Sequence, residues 1–130
     1  AWKRQFLRLM AVQQVDVLLC PVLPFAAVRL GNEERFTGCL TYSVLFNLLD
    51  FPAGTVPVST VTAGDIADLK KADKYNVETS LERQIRMPGS SSQNLPVGVQ
   101  IASLPYQDEM VLRVLRDLEK KTRLIHIKIV

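Results

Sequence analysis

Proline interrupts the longest apolar stretch of this chain and brackets most of the others, so each is held to a short strand or short helix. Residues 17–28 form an apolar run of 12 residues with Pro21 and Pro24 inside it. A membrane-spanning helix needs about 20 consecutive apolar residues, so nothing in the sequence is long enough to cross a bilayer. Residues 15–20 read instead as a buried strand that stops at Pro21. A long loop follows through Pro24 and Gly31. Pro52 and Gly54 end a helix predicted over 41–49, whose apolar members Tyr42, Leu45, Phe46 and Leu49 recur at helical spacing. Residues 55–62 are rich in β-branched side chains and read as a strand. Pro57 inside it donates no ladder hydrogen bond, which puts that strand at an edge, at a bulge or at its own start.

Two further helices and a third strand complete the pattern. Trp2, Phe6, Leu9 and Met10 mark one face of an opening helix. Residues 95–102 form a strand in which Val97, Val99 and Ile101 alternate with smaller or polar residues. Gly54 and Gly98 are read as points of close backbone approach. Residues 108–121 form a final helix with Met110, Val111, Val114, Leu115 and Leu118 on its apolar face. Asp108 and Glu109 at its start, and Lys120, Lys121 and Arg123 at its end, complement the helix dipole. Residues 63–94 are charged and polar and are expected to carry one or two surface helices, with Leu81 and Ile85 able to dock one. Residues 124–130 alternate like a strand. Helices alternating with strands predict an α/β fold, its strands forming a small sheet or one flank of a larger one.

Composition excludes several functions. The chain has 130 residues, enough for one domain and one core, and a formal net charge of +3. Lys and Arg are dispersed, so the electrostatic footprint of a nucleic-acid-binding protein is missing. Mild basicity is compatible with an anionic membrane surface. Cys20 and Cys39 form no CxxC pair, and His126 is the single histidine, so no zinc ligand set is available and no metal site is expected. Cys20 reads as a buried free thiol, and no disulfide to Cys39 is expected. The chain opens at Ala1, directly in helix, with no signal peptide ahead of it, and is expected to begin partway through a longer protein.

Two segments together carry a resemblance. The first runs Asn47-Leu48-Leu49-Asp50-Phe51-Pro52-Ala53-Gly54-Thr55-Val56-Pro57-Val58. The second is Leu95-Pro96-Val97-Gly98-Val99-Gln100, followed by the helix with the acidic start. In this order, with a polar insert between them, they resemble the C-terminal part of the amidase-signature family. The finer match is to fatty-acid amide hydrolases, through Phe36-Thr37-Gly38, the stretch from Thr41 to Gly54, Val15-Asp16-Val17-Leu18-Leu19-Cys20-Pro21, and Leu104-Pro105-Tyr106-Gln107-Asp108-Glu109. The resemblance covers residues 1–121 as part of an amidase domain. It is weakest over 70–87, where an aromatic residue of the family is replaced near Ser80, and it leaves 122–130 as a tail outside it.

The resemblance implies the C-terminal portion of the amidase-signature fold, a mixed sheet flanked by helices. It also implies a parent that hydrolyses fatty-acid amides through an acyl-enzyme, using a lysine, a bridging serine and a nucleophilic serine. Those residues lie in a Gly-rich stretch upstream of the matched segments, so no catalytic residue is assigned here and no cofactor is implied. Ser90, Ser91 and Ser92 do not stand in for them, because Gln93 and Asn94 follow rather than glycines. They read as a solvated loop. His126 reads as an exposed tail histidine, and Asp16 and Asp50 as capping groups or groups hydrogen-bonding to nearby backbone.

What the resemblance does assign is a wall of the acyl channel, at Thr37, Leu40 and Val44. The residues alone leave open that Leu40 and Val44 pack in the core. Implied partners are a fatty-acid amide, the remainder of the amidase domain and, compatibly, an internal membrane surface within the cell and a second copy. Two other readings stand beside this one: a general amidase or amidotransferase subunit acting on a polar amide, and a stand-alone, non-catalytic module that binds lipid or a partner helix.

Overall fold

The computed structural model describes residues 2–28, 30, 31, 33–71, 82, 83 and 92–122, with the side chains of 33 and 35 left aside. In chain order the elements are α1 (Trp2–Val12), β1 (Val17–Pro21), a 3-10 helix (Glu33–Leu40), α2 (Thr41–Leu49), β2 (Ala53–Thr60), α3 (Ala63–Leu69), β3 (Pro96–Ser103) and α4 (Asp108–Thr122). The expectations for residues 72–81, 84–91 and 123–130 fall outside the described residues. They include the Leu81–Ile85 pair, Ser90 and Ser91, His126 and the strand-like tail.

The class is α/β. The strands form one sheet in the order β1-β3-β2, and both pairings within the described residues are antiparallel. β3 is central. Val17 pairs with Ser103 and Pro21 with Val99 on one side, while Ala53 pairs with Ala102 and Thr60 with Pro96 on the other. β2 is an edge strand, and its register with β3 shifts between Pro57 and Ser59. Pro57 therefore sits at both an edge and a bulge, where its missing N–H costs no ladder bond.

Alternation along the strands sorts the two faces. Leu18, Cys20, Ala102 and Gln100 share one face, and α1 and α2 cover it. Met10, Phe46, Leu49, Phe51 and Ala102 are buried there, with Phe6, Leu7, Val15, Leu45 and Leu104 packed around them. The rings of Phe6 and Phe51 meet edge-on at 5.9 Å. Gly54 and Ile101, paired across the strands, share the opposite face with Val56, and α4 covers it. A Cβ on Gly54 would overlap Leu115 Cδ1 and approach Val111 Cγ1 to 3.4 Å. Gly54 thus admits a helix side chain, where close backbone approach was expected. At Gly98 that expectation holds: a Cβ there would meet the Val56 carbonyl at 3.4 Å.

Three other expectations are corrected. The buried side of α1 is Phe6, Leu7 and Met10, because α1 lies one position around from the predicted face and leaves Trp2 and Leu9 exposed. β1 is not a buried strand. Among the described residues it is an edge strand, and Leu19 projects on the face where α4 covers β2 and β3, leaving it 58% exposed. Asp50, by contrast, takes the capping role expected of it. It closes α2 in the left-handed conformation (φ 52, ψ 43), with Pro52 two residues on, and its carboxylate reaches Lys3 Nζ at 2.6 Å. Ser92 is not solvated; it is 2% exposed.

The remaining termini are well defined. α3 opens with a capping box in which the Thr62 hydroxyl accepts from the Asp65 N–H while the Asp65 carboxylate accepts from the Thr62 N–H. α4 carries Asp108 and Glu109 in its first turn and Lys120 and Lys121 in its last. Both cysteines are free thiols, but Cys20 is half-buried where burial was expected, and Cys39 is the buried one. No helix among the described residues is long and apolar enough to cross a membrane.

Candidate functional site

The segment between β1 and α2 builds a cavity from residues that belong to no regular period. Leaving β1 at Pro21, the chain bends through residues 22–26. It returns as the 3-10 helix, which is kinked at Phe36 (φ −111, ψ 16). Leu40 (φ −62, ψ −14) already has right-handed helical geometry and leads directly into α2. Between these limbs lies an open cavity of about 390 Å³ lined by Leu23, Phe25, Val28, Glu34, Phe36, Thr37 and Leu40. The Phe25 and Phe36 rings lean together at 4.9 Å, tilted by 59°, and join the two limbs.

The cavity wall is apolar apart from Glu34 and Thr37. The Thr37 hydroxyl donates to the Glu34 carbonyl at 2.8 Å, so its polar end is occupied locally and its methyl group is free to face the cavity. Leu40 is 48% exposed and Val44 39%. Of the three residues assigned by resemblance, Thr37 and Leu40 come together on this cavity. Val44, one helical turn beyond Leu40, is not among its lining residues. Leu23, Phe25, Val28 and Phe36 were not anticipated as wall residues. The signal for three of them was the apolar character that persists past Pro21 and Pro24, where a loop would ordinarily turn polar.

Behind the cavity stands Gln100, at the middle of the central strand and only 3% exposed. Its Nε2 donates to the Pro21 carbonyl at 2.7 Å and to the Tyr42 carbonyl at 2.8 Å. Cys20 lies directly opposite on β1. Burial pushes the Cys20 thiol up, and its hydrogen bond with Gln100 offsets part of that. The thiol is therefore held neutral, which suits packing and not nucleophilic attack.

The serines whose partners are defined are bound to backbone. Ser43 donates to the Leu40 carbonyl, Ser59 to the Thr60 carbonyl, and the fully buried Ser103 bridges the Asp16 carbonyl and the Gln107 side chain. Among the described residues no cluster of three or more His, Cys, Asp or Glu could hold a metal ion.

Comparison with known proteins defines the class. Residues 1–112 match the Amidase family, and the chain belongs to it. It is 40% identical to fatty-acid amide hydrolase 1 of Sus scrofa over 106 residues, covering 82% of this chain and 18% of that protein. It is 36% identical to fatty acid amide hydrolase 1 of Caenorhabditis elegans over 120 residues, covering 92% of this chain and 20% of that protein. The acetamidase of Emericella nidulans is 28% identical over 112 residues, covering 85% of this chain and 19% of that protein. The chain thus spans between 18% and 20% of the length of these relatives.

Proposed function

We propose that this chain is the C-terminal part of an enzyme that hydrolyses fatty-acid amides through an acyl-enzyme. It supplies sheet scaffold and one wall of the acyl channel, while the serines and lysine of catalysis lie elsewhere in the protein. The observation that carries this reading is the apolar cavity over residues 23–40, formed in a chain that aligns with two fatty-acid amide hydrolases at 36–40% identity. An apolar wall suits a hydrocarbon because each buried methylene contributes about 0.8 kcal/mol. Thr37 and Leu40 stand on that wall, and Val44 would extend it along α2.

The backbone-bound serines support the view that this chain by itself carries no nucleophile. Exposed apolar residues support its need for a larger body: Trp2, Leu9 and Val12 on α1 and Leu19 on β1 are each more than half exposed. The remainder of an amidase domain would cover them. Contact with an internal membrane surface and pairing with a second copy of the protein are compatible with the same reading.

The test is transplantation. This chain replaces the matching segment of the Sus scrofa enzyme, and the hybrid is given a long-chain and a short-chain primary amide. Retained hydrolysis with preference for the long chain is expected. A folded hybrid that hydrolyses only short amides would move the assignment to a general amidase. Labelling of the free 130-residue chain by a fluorophosphonate probe would overturn the absence of a nucleophile.

A further inference from the structure

We infer that Gln100 is a positioning residue for the cavity, a clamp that sets the separation of its two limbs from behind. Three observations carry it. Gln100 is buried at the centre of β3, on the face shared with Cys20 and Ala102. One amide nitrogen has two N–H groups, and here each goes to a different element: one to the Pro21 carbonyl, the other to the Tyr42 carbonyl. Those two carbonyls mark the places where the two limbs leave the rigid sheet and helix. Pro21 lies two residues before Leu23, the first lining residue, and Tyr42 two residues after Leu40, the last.

The geometry explains why an amide stands here. The two acceptors belong to separate elements and both point at one nitrogen, so a neutral double donor satisfies them and holds them at a fixed spacing. A carboxylate of the same shape would face two carbonyl oxygens with no proton to give. A thioether of the same length would fill the space and bond to neither. Gln100 acts through the backbone of Pro21 and Tyr42. Cavity width, and with it the acyl chains the wall accepts, is set from the central strand. The link to acyl chains rests on the functional reading above, whereas the clamping of the two limbs does not.

Two arms of one experiment keep these separable. The first is amide hydrogen exchange on the Sus scrofa hybrid, comparing the unsubstituted hybrid with Gln100→Met and with Ser103→Ala, a second buried polar change on the same strand. Loss of a buried hydrogen bond should raise exchange about tenfold or more where the clamp acts. Gln100→Met should do so at residues 22–28 and 40–46 while α4 keeps its protection; Ser103→Ala should spare residues 40–46. A uniform rise across the chain, or no rise in either limb, would overturn the clamp. The second arm measures kcat/KM in the Sus scrofa hybrid. Gln100→Met should lower it for the long-chain amide about tenfold through KM, with the short-chain value held, whereas a general folding defect lowers both alike. Altered exchange with unaltered chain-length preference would leave the clamp standing and remove its link to acyl chains.

Discussion

The half built from β2, β3 and α4 and the segment between β1 and α2 treat apolar residues in opposite ways. In the first, regular spacing turns one apolar stripe of α4 onto the sheet, so Ile101 is fully buried and Val111 nearly so, while Val97 and Leu112 stay exposed. In the second, Leu23, Phe25, Val28 and Phe36 are only half-buried, and Leu40 is 48% exposed. The two sets are equally apolar. The regular half has a sheet and a helix that mesh, down to Leu115 seated over Gly54. The irregular segment has two limbs that meet at one pair of rings and leave a gap. In the irregular segment Leu23, Phe25, Val28, Phe36 and Leu40 line a wall, whereas Ile101 and Val111 in the regular half make a core.

The sharpest way to break this contrast is to truncate one residue from each side. Ile101→Ala should cost roughly 2–5 kcal/mol, since a large buried side chain is removed and a cavity left, and a denaturant midpoint reads it directly. If it costs no more than a surface change, the regular half is not the core. Gly54→Ala comes next. The new methyl overlaps a flexible Leu115 terminus that can rotate away, so the expected cost is about 1–3 kcal/mol, and Leu115→Ala in the same chain should relieve the overlap. Strict additivity of the two changes would show that they do not meet.

Leu40→Ala should cost about 1 kcal/mol, because half of the side chain is already in water. Its larger effect belongs to selectivity: in the hybrid enzyme, kcat/KM for a long-chain amide should drop while a short-chain amide is spared. A loss of several kcal/mol with equal effects on both substrates would return Leu40 to the core. The smallest effect is expected at the exposed Lys3–Asp50 pair. Asp50→Asn removes the charge but keeps a residue that tolerates the left-handed cap, so stability should change by at most about 1 kcal/mol, less in high salt. A larger, salt-independent change would show that α1 depends on this contact.

Much of the regular secondary structure was legible in the sequence. The α2 boundaries, the acidic start of α4 and its apolar face, the strand ending at Pro21 and the restriction of Pro57 to an edge, a bulge or a strand start all follow from local rules of spacing, dipole and missing donors. These rules act over a few residues, and a few residues of sequence suffice to read them. The face of α1 was half right, with Phe6 and Met10 inward, because Trp2-Phe6-Leu9-Met10 and Phe6-Leu7-Met10 are both apolar stripes. Only the position of the sheet selects the second. The site was half legible. Thr37 and Leu40 came from resemblance, but the facing limb lies before Gly31, and its aromatic partner Phe25 is eleven positions from Phe36 with no period linking them.

By itself the sequence determined the α/β class, most of the element boundaries and the family, because each rests on short-range patterns. The tertiary structure alone decided which apolar residues are core and which are wall. It also decided that Gln100 turns inward to Pro21 and Tyr42, and that Ser92 is buried. In each case the partner lies far along the chain or on another element. Burial and hydrogen bonding depend on what arrives opposite a side chain, and no local pattern records that arrival.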